Sequence, residues 1–361
     1  MEAIPNIIIS LQQDLDKKLA EIKTEEIFTK YSELKISTTI PIPTPEPIVT
    51  MGDAAICTPG NLTVLSGQSK SGKTALTSVI LAGAIRTTIY DGFTGLEVKE
   101  NKECKAVLHF DTEQSKHHHY RNLKYGILNR VSKKVEPEYY QSYNIRELNI
   151  KEYQNVCNEL FEACNIKFGG IHLAVIDGAA DFIKSVNDEE DSNRIVHYFE
   201  QLAVRYNCPI ILIIHFNPGS EKQRGHLGSQ LQRKAESVLA IKKEGDISYI
   251  EPQFLRNAGT PDVPKIQFSF DKNKEYHTYC GCYIKKEKQS KEEELRILAK
   301  QLFSLRIPLK YTAAAKQLME IINQSERTAK SKIAEMISFK LINKNVEGEY
   351  ELNEESEELV Q

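Results

Sequence analysis

The segment that most constrains the fold reads GQSKSGKT over residues 67–74. It follows the short apolar run 62–65 and precedes a helix-forming stretch, 75–84. Two glycines at this spacing let a loop curl so tightly that its N–H groups, with the N-terminus of the next helix, surround phosphate oxygens. The spacing predicts a strand, a helix and, between them, a phosphate-binding loop formed by Gly67, Gln68, Ser69, Lys70, Ser71, Gly72, Lys73 and Thr74.

Two residues of this loop and one residue further along predict a nucleotide site with its metal ion. Lys73 is expected to neutralise the β- and γ-phosphates, and the Thr74 hydroxyl to ligate Mg²⁺. The run 171–177 stays mainly apolar until it ends in Asp177, as in a strand whose terminal carboxylate holds Mg²⁺ through water. ATP and Mg²⁺ are therefore the predicted ligands. Lys70 is either a further phosphate contact or a solvated side chain.

A third constellation follows the apolar run 106–110, where acids appear at a strand end. The carboxyl ends of parallel strands are where an open α/β sheet binds its ligand. Glu113 is therefore predicted to be the general base that aligns and deprotonates water for attack on the γ-phosphate. The alternative is that Glu113 caps the next helix. The histidine run 117–119 is interpreted as the solvated start of that helix.

The wider pattern predicts an α/β fold, because near-continuous apolar runs alternate with helical stretches. Runs of this length fit buried parallel strands that helices cover on both faces. The predicted strands lie at 62–65, 106–110, 173–176, 210–214, 237–242, 249–255 and 266–270. The sheet is expected to be mainly parallel.

Composition shifts divide the chain into three predicted domains. Residues 1–50 carry apolar residues at helical spacing and then a strap, 40–47, with proline at every second position from Pro41, which favours an extended conformation. Residues 51–285 hold the α/β domain. A charged linker then leads into 286–361.

The C-terminal segment has the order of a winged helix-turn-helix. Helix-like stretches at 292–305, 312–322 and 325–341 precede a hairpin, 343–352. Basic side chains on the last helix are predicted to dock on DNA phosphates, namely Arg327, Lys330 and Lys332. The wing carries Glu347, Glu349 and Glu351, so docking on a protein is the alternative.

Composition bounds the class of protein. With 47 basic and 50 acidic side chains the net charge is -3, which excludes a wholly basic nucleic-acid coat. No apolar run approaches the roughly 18–20 residues that cross a bilayer. The seven cysteines are spread over the chain, as reduced thiols are. A cytoplasmic protein without membrane partners is predicted.

Together these motifs resemble those of the RecA-like P-loop ATPases, in particular the RepA and DnaB-type hexameric helicases of plasmids and mobile elements. The likeness spans 51–285 and is carried by the phosphate loop and four short motifs. These motifs are FDTEQ at 110–114, VIDG at 175–178, IHFN at 214–217 and FLRNAG at 254–259.

The resemblance implies roles for three residues. Glu113 activates water, His215 senses the γ-phosphate, and Arg256 enters the nucleotide site of a neighbouring subunit. It also implies a homo-oligomer, with six subunits in the helicase branch. The family often has a lysine where this chain has Phe254, so an ordinary strand-end role for Arg256 stays open.

A polar, glycine-rich loop lies between Asn217 and Gln230. In RecA-like rings the equivalent loop faces the central channel and holds single-stranded nucleic acid, so the resemblance makes Lys222, Arg224 and His226 phosphate contacts. The loop has no aromatic side chain for base stacking, and a merely solvated loop is the alternative.

The leading functional prediction is an ATP-hydrolysing motor for replication or mobilisation of a plasmid or mobile element, with replication or transposition proteins as partners. The alternative is a slow ATP-dependent switch, loader or regulator that binds DNA without unwinding it. A repair or clock ATPase is disfavoured by the C-terminal position of the winged helix.

Overall fold

The computed structural model describes residues 3–88, 90–217, 225–283, 291–305 and 307–353. The chain divides into two compact units, Met1–Tyr283 and Ile284–Gln361. Among the described helices, none combines the length and the apolar character that crossing a lipid bilayer requires.

The first unit contains both strands and helices. Its strands are β1 (Val49–Met51), β2 (Ala54–Cys57), β3 (Leu62–Gly67), β4 (Leu96–Val98), β5 (Ala106–Asp111), β6 (Tyr140–Asn144), β7 (Ile171–Asp177), β8 (Ile210–His215), β9 (Ser237–Glu244), β10 (Ile247–Leu255), β11 (Ile266–Asp271) and β12 (Tyr276–Cys282). Its α-helices are α1 (Ala3–Lys30), α2 (Lys73–Ile85), α3 (Lys116–Arg121), α4 (Ile150–Phe168), α5 (Glu189–Arg205) and α6 (Gly225–Lys234). A π-helical segment, Asn122–Leu128, continues α3.

One large sheet runs through this unit, in the order β12-β11-β10-β9-β3-β8-β7-β5-β6. The strands from β9 to β6 in that order are parallel neighbours, whereas β10, β11 and β12 are antiparallel additions. The predicted α/β fold with a mainly parallel sheet is confirmed. Because β3 lies between β8 and β9, the loop after β3 sits in the middle of the carboxyl edge, where such sheets bind ligands.

Two apolar cores, one on each face, explain why the central strands are apolar throughout. Val175 of β7 packs in one core with α2, and Ile176 packs in the other with α4 and α5. Every residue of β7 is buried. Burial of each large apolar side chain stabilises the fold by about 1.5–3 kcal/mol. Because both faces of this strand are covered, apolar residues are favoured at nearly every position. The continuous apolar run in the sequence reflects this burial.

The sequence prediction omitted strands that are short or mixed in composition. The strands β2, β1 and β4 form a small antiparallel sheet, and β6 and β12 border the large one. These strands are only partly buried or very short, so they lack the apolar pattern that identifies a strand.

The N-terminal part of the first unit is one helix followed by an irregular segment. The apolar side chains of Leu15, Leu19 and Ile22 on α1 are exposed. Residues 41–47 form neither helix nor strand, in agreement with the proline spacing.

The described residues of the second unit form three helices and a hairpin, in the order that the sequence predicted. They are α7 (Lys291–Leu302), α8 (Tyr311–Ile322), α9 (Glu326–Ser338), β13 (Ile342–Lys344) and β14 (Tyr350–Leu352). Ser325 caps α9 by accepting a hydrogen bond from the Thr328 N–H. Ala329, Ile333 and Met336 face a small apolar core. Ile337 on the same helix is not part of this core, and its side chain is 40% exposed.

Candidate functional site

The phosphate loop has two glycines that no other residue could replace without strain. A Cβ atom on Gly67 would lie 2.4 Å from the Ile241 carbonyl oxygen, and one on Gly72 would lie 2.8 Å from the Phe268 ring. Gly72 also has a φ of +105°, which L side chains rarely adopt. Ser71 Oγ is buried, with no hydrogen-bond partner among the described residues. The backbone of the loop is therefore tightly curled, and the Ser71 hydroxyl is available to donate a hydrogen bond to a bound anion.

Lys73 is held inside this loop. Its Nζ donates to the carbonyl oxygens of Gly67 (3.1 Å) and Gln68 (2.9 Å) and lies 3.2 Å from His215 Nδ1. Burial lowers the pKa of Lys73, while the charges of Glu113 and Asp177 oppose that shift. The ammonium group is thus a buried cation at the N-terminus of α2, where phosphate charge is favoured.

His215 connects Lys73 to Glu113. Its Nε2 lies 3.0 Å from Glu113 Oε1 and 3.2 Å from Oε2. Because the ammonium donates to Nδ1, Nε2 carries the ring hydrogen and donates it to the carboxylate. This hydrogen bond lowers the pKa of Glu113, so the carboxylate is ionised at neutral pH. The structure brings these three predicted residues together.

Asp111, which the sequence reading passed over, fixes the loop that carries Glu113. Its Oδ1 accepts hydrogen bonds from the backbone N–H groups of Glu113 (2.9 Å) and Gln114 (2.8 Å). Its Oδ2 accepts one from Gln114 Nε2 at 2.6 Å. An Asp that precedes a polar turn forms such bonds readily, and that signal could have found it. The cap of α3 is Ser115, so Glu113 does not have the capping role.

Asp177 lies at the end of β7, next to Asp111 in the register of the sheet. It is only 4% exposed, and its carboxylate has no hydrogen bond from any residue that the structure describes. Burial, with the charges of Asp111 and Glu113, raises the pKa of Asp177 to about 8. A buried carboxylate without a partner suits a hard divalent cation, so Asp177 and the half-buried Thr74 fit Mg²⁺.

Thr112 joins the ends of β5 and β7. Its hydroxyl donates to Asp181 Oδ2 at 2.7 Å. Gly178 has a φ of +98°, and a Cβ there would lie 1.9 Å from Thr112 Oγ1. The glycine after Asp177 therefore allows the two strand ends to approach closely.

Two cavities flank the phosphate loop. One of about 530 Å³ opens beside Thr74 and is lined by Ser78, Arg121, Tyr125 and Phe270 among others. The other, of about 680 Å³, adjoins Gln68 and Lys70. The first offers aromatic rings and a guanidinium group next to the start of α2, a lining that suits a nucleobase.

Arg256 lies at the opposite edge of the sheet from Lys73. It follows β10, whose Leu255 pairs with Ser237 at the start of β9. Its Nη2 donates to the Lys234 carbonyl oxygen at 2.9 Å. Within one chain, the structure does not bring Arg256 to the nucleotide site.

The predicted nucleic-acid contacts are only partly described. Lys222 and Arg224 lie outside the described residues, and His226 is exposed in the first turn of α6. In the second unit, Arg327 is exposed, Lys330 pairs with Glu326 at 2.8 Å, and Lys332 is half-buried.

The sequence had suggested that the whole histidine run 117–119 is solvated, and this interpretation is wrong for one of the three residues. His119 is only 6% exposed, whereas the other two are exposed. Its Nε2 lies 2.7 Å from Ser142 Oγ, and its Nδ1 lies 3.5 Å from Asp111 Oδ2. Successive residues of a helix point about 100° apart, so one of the three faces the sheet.

Comparisons with known proteins bear on this site. A family model for an AAA domain matches residues 41–221. No curated protein matches the chain. The fold is similar to that of a KaiC-like protein from the hyperthermophilic archaeon Pyrococcus horikoshii OT3, with a TM-score of 0.41 and 13% sequence identity. That alignment covers 66% of this chain and all of the archaeal one.

Proposed function

Because the chain belongs to the AAA domain family and is a P-loop ATPase, we propose that it is a DNA motor of the RepA-like helicase type. One observation carries this proposal. His215 touches both Lys73 and Glu113 and is the last residue of β8, close before the loop that contains Lys222 and Arg224. Hydrolysis of the γ-phosphate would therefore change the surroundings of His215, and this one side chain would transmit the change to that loop.

In the proposed reaction, each residue has a defined task. Lys73 and the loop N–H groups bind the phosphates of ATP, and the cavity beside Thr74 holds the base. Thr74 and Asp177 would hold Mg²⁺, which neutralises phosphate charge when bound. Glu113 aligns a water molecule and accepts its proton, while His215 keeps the carboxylate in place.

The DNA-binding parts of the proposal lie outside the nucleotide site. Lys222, Arg224 and His226 contact single-stranded DNA, and Arg327, Lys330 and Lys332 contact duplex phosphates through a winged helix. Arg256 serves the nucleotide of a neighbouring copy in a homo-oligomer. A plasmid or another mobile element is the proposed context.

The second candidate function is an ATP-dependent switch or loader that binds DNA without unwinding it. Two observations favour it. The hairpin of the second unit carries Glu347, Glu349 and Glu351, which repel phosphates. Helicases of this type often have a lysine two residues before the arginine that matches Arg256. This chain has Phe254 there, and its side chain is 48% exposed.

Single-stranded DNA is expected to raise the steady-state rate of ATP hydrolysis several-fold, because DNA bound at residues 218–224 acts on His215. The rate would be measured with and without a homopolymeric oligonucleotide, on the parent chain and on Lys222→Ala/Arg224→Ala. The variant should keep the basal rate and lose the stimulation. Hydrolysis that DNA leaves unchanged in the parent chain would favour the switch.

Replacing the three basic residues of α9 with alanine is expected to weaken duplex binding and flatten its salt dependence. Each lost phosphate contact lowers the slope of log K against log salt by about 0.9, so Arg327→Ala/Lys330→Ala/Lys332→Ala should lower it by about 2.7. Fluorescence anisotropy at several salt concentrations measures this slope. Lys300→Ala, an exposed position on α7, is the control, and an unchanged slope in the triple variant would point to protein docking.

A further inference from the structure

A second cluster of metal-ligating side chains lies in the core next to the nucleotide site. His109 and Asp111 of β5 share a face of the sheet with Asp177 of β7, and Val107 and Val175 on that face pack in the core that contains α2. Each of the three offers one ligand atom, and these atoms lie within 4.8 Å of one another. The three residues are 1%, 0% and 4% exposed. The cluster is therefore shielded from bulk solvent.

His109 has a nitrogen that nothing in the described part of the chain satisfies. Its Nδ1 lies 3.0 Å from Ser142 Oγ. Its Nε2 is buried without a hydrogen-bond partner among the described residues. A buried ring nitrogen of this kind is costly and rare unless a ligand occupies it. The bond to Ser142 also holds the ring in a fixed orientation, as the outer partner of a metal-binding histidine does.

The two carboxylates have oxygen atoms to spare. Asp111 Oδ1 accepts two backbone hydrogen bonds, whereas Oδ2 accepts one from Gln114 and lies 3.5 Å from His119 Nδ1. The carboxylate of Asp177 accepts none from the residues in the described ranges. Two carboxylates buried this deep in the sheet need a positive charge close by. The Lys73 ammonium group instead donates its hydrogen bonds to the carbonyl oxygens of the phosphate loop.

We propose that His109, Asp111 and Asp177 bind a divalent first-row transition-metal ion of the zinc or manganese class, in addition to the Mg²⁺ of the nucleotide. One imidazole with two carboxylates is a donor set that such ions accept. Ligand atoms around an ion at about 2.1 Å lie about 3.4 Å apart, so a pair separated by 4.8 Å closes by about 1.4 Å on binding. Asp177 has two oxygen atoms and can serve both ions.

Cobalt(II) is the probe, because a nitrogen-ligated Co²⁺ ion has visible absorption bands that report its ligands. Metal-free protein without nucleotide is expected to bind one equivalent of Co²⁺, and Zn²⁺ should displace it. His109→Gln should weaken Co²⁺ binding at least about tenfold and leave Mg·ATP binding intact. Asp177→Asn should impair both. Lys73→Ala should lose ATP binding and keep the Co²⁺ bands, which separates a failure of this site from a failure of the nucleotide site.

The exposed histidines provide the matched control. His117→Ala/His118→Ala removes two surface imidazoles and should leave the Co²⁺ bands unchanged. Loss of the bands in this variant, or no binding to the parent chain, would overturn the proposal. If His109→Gln does not fold, Mn²⁺ bound to the parent chain replaces it as the test. Pulsed electron paramagnetic resonance should then show coupling to one imidazole nitrogen, and its absence would also overturn the proposal.

Discussion

Glu113→Gln is expected to lower kcat for ATP hydrolysis by about 10²–10⁴-fold and to leave ATP binding nearly unchanged. The carboxylate accepts the His215 Nε2 hydrogen at 3.0 Å and is ionised at neutral pH, so it can take a proton from water. An amide of the same shape cannot. Single-turnover hydrolysis and equilibrium binding of a fluorescent ATP analogue would separate the two effects.

The control for this experiment is another exposed glutamate near the same sheet edge. Glu147 pairs with Lys116 at 2.8 Å and is 73% exposed, so Glu147→Gln should hydrolyse ATP at the parental rate. A Glu113→Gln variant that keeps its kcat would show that another group activates the water, and the assignment of the base would be wrong.

Lys73→Ala is expected to lower kcat/KM by about 10²–10³-fold, mainly through lost ATP binding. It removes the one ammonium group that the structure shows buried in the phosphate loop. Because burial lowers the pKa of Lys73, its charge opposes folding at neutral pH. The melting temperature of the nucleotide-free variant should therefore not fall, and calorimetry with and without ATP checks both statements.

Lys70 is the matched control in the same loop. It is exposed, with a φ of +62°, a conformation that asparagine tolerates better than most residues. Lys70→Asn should keep kcat/KM close to that of the parent chain, as a solvated side chain would. If Lys70→Asn loses as much as Lys73→Ala, both lysines contact phosphate.

The parts of the site that the sequence predicted depend on short-range patterns. The GKT spacing and the apolar runs of β7 and β8 are patterns of neighbouring residues, and the structure that such patterns form can be read directly from the sequence. His119 was missed because its contacts with Ser142 and Asp111 arise only when β5, β6 and α3 meet in space. Asp111 was missed although the turn that it holds is local. The sequence predicted Lys73 from the phosphate-loop motif, Glu113 from its place at a strand end and His215 from the resemblance, and the structure then supplied the contacts between the three side chains.

Arg256 illustrates the limit of reasoning from a motif. The sequence places it after a strand, but the direction of that strand decides which edge of the sheet it reaches. Because β10 runs antiparallel to β9, the residue after it lies at the amino edge of the parallel strands. The four steps of β3 from Thr63 to Gly67 separate the two edges by about 13 Å.

This opposition of edges restricts the symmetry of any assembly in which Arg256 completes a neighbour's site. The amino edge of one copy must then face the carboxyl edge of the next, so the contact joins two different surfaces and is heterologous. Repetition of such a contact closes into a ring or continues as a helical filament. A compact twofold dimer with both nucleotides at one shared interface is not compatible with this arrangement.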